Sequence, residues 1–142
     1  MSLTRRLFLS LLLGILSSPA FAAPDISAQE AFAAARAGEI TLIDIRTPKE
    51  WRTTGVAPGA GRVDFHRGPA HLLQSVLQQT GGDRNAPIAL ICRTGNRTTY
   101  AQEFLQRQGF TQVFNVKEGM AGSAAGPGWL KRGLPVDDCT LC

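Results

Sequence analysis

Apolar residues along this chain fall into short runs separated by polar turns rich in glycine and proline. Four runs read as strands. In residues 40–46, Leu42, Ile43 and Ile45 mix alternation with a continuous apolar run, the pattern of a strand covered on both faces. Residues 62–65 predict a short second strand. Ile88-Ala89-Leu90-Ile91 is too short for a buried helix and has the β-branched content of a buried strand, and residues 112–116 supply the last. Helical spacing lies between them. Residues 27–38 open with Ser27 and Glu30 in a capping box and close at Gly38. Thr47-Pro48-Lys49-Glu50 is a second helix start, cut short by Gly55 and Pro58-Gly59. Leu72, Leu73, Val76 and Leu77 form one apolar face that ends at Gly81-Gly82. Ala101, Phe104 and Leu105 form another, with Gly109 just past the end. Strands alternating with helices over short connections predict an α/β fold, a parallel sheet with helices on both faces. Residues 119–133 read as a broken helix or a structured loop with Trp129 and Leu130 docked, and residues 137–142 as a mobile end.

The amino terminus changes the picture of where this domain starts. Residues 1–22 carry Arg5 and Arg6, an apolar stretch from Leu7 to Leu16, and Ala20-Phe21-Ala22 as a small-x-small cleavage site. This predicts a cleavable export signal cut after Ala22, a mature domain over 23–136, and a tail over 137–142. The apolar stretch is short for a bilayer span, so no membrane segment is expected in the mature form. No cysteine near the cut suggests a lipid anchor. Thr4-Arg5-Arg6-Leu7-Phe8-Leu9 also fits a twin-arginine signal, and the ordinary secretory route stays open beside it. Either route predicts the periplasm of a Gram-negative cell. The formal charge of +4 less these two arginines leaves +2. Without a lysine-rich run, that gives no case for nucleic acid.

The candidate chemistry centres on Cys92. It follows a buried strand and precedes a helix, so the polar loop Arg93-Thr94-Gly95-Asn96-Arg97 sits at a helix amino terminus. Unpaired N–H groups converge there, and the helix dipole favours an anion and a thiolate. The bland alternative for Cys92 is an inert buried thiol. Ligands of open parallel sheets bind beyond the carboxyl ends of the strands. That rule places Asp44 to Arg46, Phe65 to Arg67 with His66, and Lys117-Glu118 at the same end as Cys92, gathers Arg46, Arg67, Arg93 and Arg97 as candidates for the rim of one site, and implies a small anion as substrate. Arg93 could equally be a solvated charge. Arg97 could bind substrate or fold back onto loop carbonyls. Asp44 and Arg46 read more readily as a structural pair, and His66 as a half-exposed histidine. His66 and His71 are five apart, which does not suit a metal on one helical face, and no metal is expected.

These residues resemble a single-domain rhodanese. The resemblance runs from about Ile40 to Val136. It rests on Leu42-Ile43-Asp44-Ile45-Arg46, Glu50-Trp51, Gly55-Val56-Ala57-Pro58-Gly59-Ala60, the six-residue loop from Cys92 to Arg97, Gly109-Phe110 and Glu118-Gly119-Met120. It implies a five-stranded parallel sheet, Cys92 as a persulfide-forming nucleophile and residues 93–97 as the substrate cradle. The expected donor is a small anion such as thiosulfate and the acceptor is cyanide or a thiol, with no cofactor. Two departures stand out. Val56 replaces the histidine that often follows the glycine of the family's Gly-His-Ile-Pro-Gly-Ala segment, and Gly122 to Gly128 interrupt its last helix. Cysteine phosphatases share this loop logic but need Cys-x5-Arg. Here Arg97 gives Cys-x4-Arg and position 98 is Thr, a tighter cradle.

The rival reading is a binding or thiol-redox module that uses Cys92 with the tail pair Cys139 and Cys142. The pair itself leaves three readings open: a disulfide closing a mobile end, a resolving dithiol that takes sulfur from Cys92, or an incomplete metal site.

Overall fold

A computed structural model describes residues 24–142; the export-signal reading of residues 1–22 lies outside the described residues. The elements follow the order α1 (Ala28–Arg36), β1 (Thr41–Asp44), α2 (Pro48–Thr54), β2 (Gly61–Arg62), a 3-10 turn (Phe65–Arg67), α3 (Pro69–Gln79), β3 (Ile88–Ile91), α4 (Asn96–Arg107), β4 (Val113–Asn115) and α5 (Gly128–Lys131). The strands lie in the order β2-β1-β3-β4, and every pairing is parallel.

The alternation of side chains along each strand divides the core in two. Ile43 of β1 and Ile88 and Leu90 of β3 pack with Leu72 and Val76 of α3 and Ala101 and Leu105 of α4. Leu42, Ala89 and Ile91 point the other way, toward Ala28 and Ala31 of α1, Met120 and Trp129. A central strand buried on both faces has no polar side, which is why β3 reads as an unbroken apolar run. Each fully buried Leu or Ile of this kind stabilises the fold by roughly 1.5–3 kcal/mol.

Both amino-terminal capping boxes form. The Ser27 hydroxyl accepts from Glu30 N–H, and the Thr47 hydroxyl from Glu50 N–H, with each glutamate reaching back to its cap.

Three expectations need correction. The described residues hold four strands rather than five. The place of a fifth, beside β4, is taken by a single parallel bridge between Asp25 and Asn115, with Ile26 N–H donating to Asn115 O at 2.9 Å. Ser27 caps α1 two residues after Asp25, which ends the extended pairing on that side. Second, the strand expected over residues 62–65 is only Gly61–Arg62. Asp64 accepts from His66 N–H at 3.0 Å and bends the chain into the 3-10 turn, a short polar side chain competing with the ladder. Third, the tail is docked. Val56 and Asp137 exchange N–H···O bonds of 3.0 and 2.8 Å, and Cys139 is buried against Trp51 and Val56. No helix among the described residues is long and apolar enough to cross a membrane.

The stretch over residues 119–133 is a loop with only α5 in it. Trp129 is fully buried and makes an edge contact with Phe32 at 5.7 Å between ring centroids.

Candidate active site

Cys92 is the first residue beyond β3 and is 1 % exposed. Its Sγ accepts from Gly95 N–H at 3.2 Å and lies 3.5 Å from Thr98 Oγ1. Gly95 caps α4 in the left-handed region at φ +89°, without a side-chain cap, so the helix turns its first N–H groups toward the loop. The Thr98 and Thr99 hydroxyls donate to Gly95 O at 3.0 and 2.8 Å and hold that turn. A second segment straps the loop from outside: Met120 N–H donates to Cys92 O and Ala121 N–H to Arg93 O, both at 2.9 Å.

Glu118 secures the strap. Its carboxylate, 2 % exposed, accepts from Ala28 N–H and Gly128 N–H at 2.7 Å and from Arg132 Nε at 2.8 Å. Burial works to raise this carboxyl, but Arg132 and the two backbone donors outweigh it and hold it below the ordinary carboxylate range. The starts of α1 and α5 are thereby tied to the wall of the site. Their N–H groups and the guanidinium meet on one anion, a reason for this glutamate that spacing in the sequence does not supply.

A cleft of roughly 540 Å³ opens over the loop, lined in part by Arg46, Lys49, Glu50, His66, Arg93 and Arg97. These come from three separate stretches of chain: residues 46–50, His66 and residues 93–97. Thr94, Gly95 and Asn96 instead line a smaller neighbouring cavity with Lys117 and Ser123. Arg67 is exposed on the 3-10 turn and does not line the cleft. Cys139 and Cys142 lie elsewhere, on another face of α2, where the structure joins them as a disulfide; Cys92 is a free thiol.

The cations of the cleft play different parts. Arg46 is 1 % exposed and fully engaged. It donates to Asp44 at 2.7 and 3.0 Å, to Thr54 Oγ1 at 2.7 Å and to Gly55 O at 2.8 Å. This pair is a buried brace between β1 and α2. Arg97 takes a partner that its place in the loop does not suggest: it donates to both carboxylate oxygens of Glu50 at 2.8 and 2.7 Å. That leaves Arg93 and Lys49, both exposed, as cleft cations without a carboxylate within ion-pair distance among the described residues. Lys49 was invisible as a site residue because it reads as an ordinary helix surface charge.

The Arg97 guanidinium holds Glu50 well down, at about 2 against an ordinary 4.5, with the Thr47 amide and hydroxyl helping against burial. A carboxyl depressed on folding stabilises the folded state fully above its unfolded value, and that contribution fades as pH falls from about 4.5 toward 2. The pair is partly open to solvent, so its worth is discounted to about 1 kcal/mol. Glu50→Gln should therefore flatten the loss of stability between pH 4.5 and 2, as read from urea unfolding of both proteins at each pH. Identical slopes in the two proteins would show that Glu50 titrates no differently once folded.

Among the described residues no cluster of three or more histidine, cysteine or carboxylate side chains is placed to hold a metal ion.

The site thus joins a parallel sheet, a cysteine loop at the carboxyl end of β3 and a helix start beneath the thiol. The rhodanese-like domain model matches residues 27–125, and the chain belongs to that family. A sulfurtransferase of Allochromatium vinosum is 31% identical over 98 residues, covering 69% of this chain and 78% of its own length. Among solved structures, the polysulfide-sulfur transferase homodimer of Wolinella succinogenes superposes with a TM-score of 0.62 at 27% identity, over 82% of this chain and 79% of that one. The protein Rv0390 of M. tuberculosis gives 0.64 at 26%, over 82% and 98%.

Proposed function

We propose that this protein is a sulfurtransferase that carries sulfane sulfur on Cys92. The observation that supports the reading most is the Gly95 N–H aimed at Cys92 Sγ from the left-handed turn before α4. The Cys92 thiolate attacks the outer sulfur of thiosulfate; the S–S bond of the donor breaks and sulfite departs with the electron pair. The result is a Cys92 persulfide anion, steadied by the loop amides and the helix start. A nucleophile such as cyanide or a thiolate then takes the terminal sulfur and restores the thiolate. Charge balances in both steps, and no redox partner is needed. The nearly complete cover on Cys92 favours a slender donor, so a linear polysulfide chain suits the site as well as thiosulfate. The A. vinosum and W. succinogenes relatives, both named for sulfur transfer, support the class of reaction.

Loading with thiosulfate and with polysulfide, followed by intact-mass measurement, tests the reading. One added sulfur that cyanide removes is the expected result; no adduct with either donor would overturn it.

Arg93 and Lys49 supply the attraction for the anion. Arg93→Ala should raise the KM for thiosulfate roughly tenfold, the worth of one charge-assisted contact at a partly exposed site, and should leave an uncharged sulfur donor nearly unaffected. An equal change for both donors would mean that Arg93 shapes the loop instead.

We also assign the mature protein to the periplasm, on the signal pattern of residues 1–22. Cell fractionation with amino-terminal sequencing should find a chain that begins at Ala23.

A further inference from the structure

The tail forms a second sulfur centre. Cys139 is 6 % exposed, Cys142 is more open, and the disulfide between them sits in a cleft with Trp51, Arg62 and Asp138. Arg62 Nη1 donates to Cys139 Sγ at 2.8 Å and also to Cys142 Sγ. Arg62 has no carboxylate within ion-pair distance among the described residues. Asp138 is turned locally, accepting from Thr140 N–H at 3.1 Å. Trp51, more than nine-tenths buried, lines the same cleft.

A disulfide sulfur is a weak acceptor and a thiolate is a strong one. An unpaired guanidinium on both sulfurs therefore stabilises the reduced pair more than the oxidised one. A disulfide that merely closed a chain end would have no use for it.

We propose that Cys139–Cys142 is a thiol-exchange site that accepts two electrons from a dithiol, with Arg62 stabilising the leaving thiolate. A thiolate of the dithiol attacks Cys142 Sγ, on the more open residue of the pair. The Cys139–Cys142 bond breaks, a mixed disulfide forms on Cys142, and the electron pair leaves on Cys139 Sγ beside Arg62. The second thiol of the donor loses its proton and attacks its own sulfur in the mixed disulfide, releasing the Cys142 thiolate. The donor leaves as a disulfide, the tail is reduced by two electrons, and the two protons pass to solvent or to the tail thiolates. This centre works without the Cys92 thiol.

The test uses the full chain carrying Cys92→Ser, which removes the other thiol and so separates this site from sulfur transfer on Cys92. In the reduced protein, the pH dependence of alkylation by iodoacetamide should show one tail thiol titrating clearly below the ordinary cysteine value of about 8.5. Two ordinary thiols would overturn the proposal, and this measurement needs no change at Arg62. Reduction of the disulfide by dithiothreitol, followed by thiol trapping, should slow at least about fivefold in Arg62→Gln and recover most of its rate in Arg62→Lys. An unchanged rate in Arg62→Gln would equally overturn it.

Discussion

Cys92→Ser is expected to abolish both sulfur loading and turnover while leaving the fold in place. A serine hydroxyl at this position stays protonated at neutral pH and cannot form a persulfide, so the intermediate has no carrier. The smaller oxygen can still accept from Gly95 N–H and lie near Thr98, both of which now meet Cys92 Sγ. The stability cost should therefore be only about 1 kcal/mol, within the range for a buried polar exchange whose hydrogen bond survives. Intact mass after thiosulfate or polysulfide, together with a thermal melt, separates the two effects. An undiminished adduct in the serine protein would move the nucleophile away from Cys92, and a large fall in melting temperature would mean that the thiol is chiefly a packing group.

Gly95→Ala should be strongly damaging although it leaves every site side chain untouched. Gly95 adopts φ +89°, where a Cβ is strained, and a Cβ there would run into the Lys117 carbonyl oxygen. Backbone meets backbone, so neither side can move as a flexible side chain would. The turn must open, which displaces the one N–H aimed at Cys92 Sγ and the carbonyl that anchors Thr98 and Thr99. Strain and clash together should cost on the order of 2–4 kcal/mol. For a domain of this size that is a melting shift on the order of 10 °C, and sulfur transfer should fall more than tenfold. Gly81→Ala makes the control. Gly81 has φ +62° but open space around it, so it isolates the backbone strain, about 1 kcal/mol, from the collision. Equal losses in the two variants would show that the close approach to Lys117 is not what demands a glycine at 95.

Much of this protein is written locally. The unbroken run Ile88–Ile91, the two capping boxes and the loop between a buried strand and a helix are all short-range patterns, and each appears where the pattern puts it. They are legible because a strand covered on both faces, a helix start and a left-handed glycine turn impose their needs within four or five residues of chain. The resemblance in the loop from Cys92 to Arg97 carried the family for the same reason. The fifth strand, implied by that resemblance rather than by the residues, is reduced among the described residues to the one bridge between Asp25 and Asn115, with Ser27 capping α1 two residues on.

What folding alone decided are the long-range partners of the charged groups. Glu50 reads as part of a helix start and Arg97 as either a substrate ligand or a brace on loop carbonyls, yet they are 47 positions apart and form one pair. Glu118 gathers donors from positions 28, 128 and 132. Arg62 and the tail cysteines, 77 and 80 positions away, make a site from a surface charge and an end that looked mobile. Periodicity reports which face of an element is buried, but a charge carries no mark of the partner it will meet. That choice depends on which strand ends and loops the sheet brings together, and only the packed β2-β1-β3-β4 order does so.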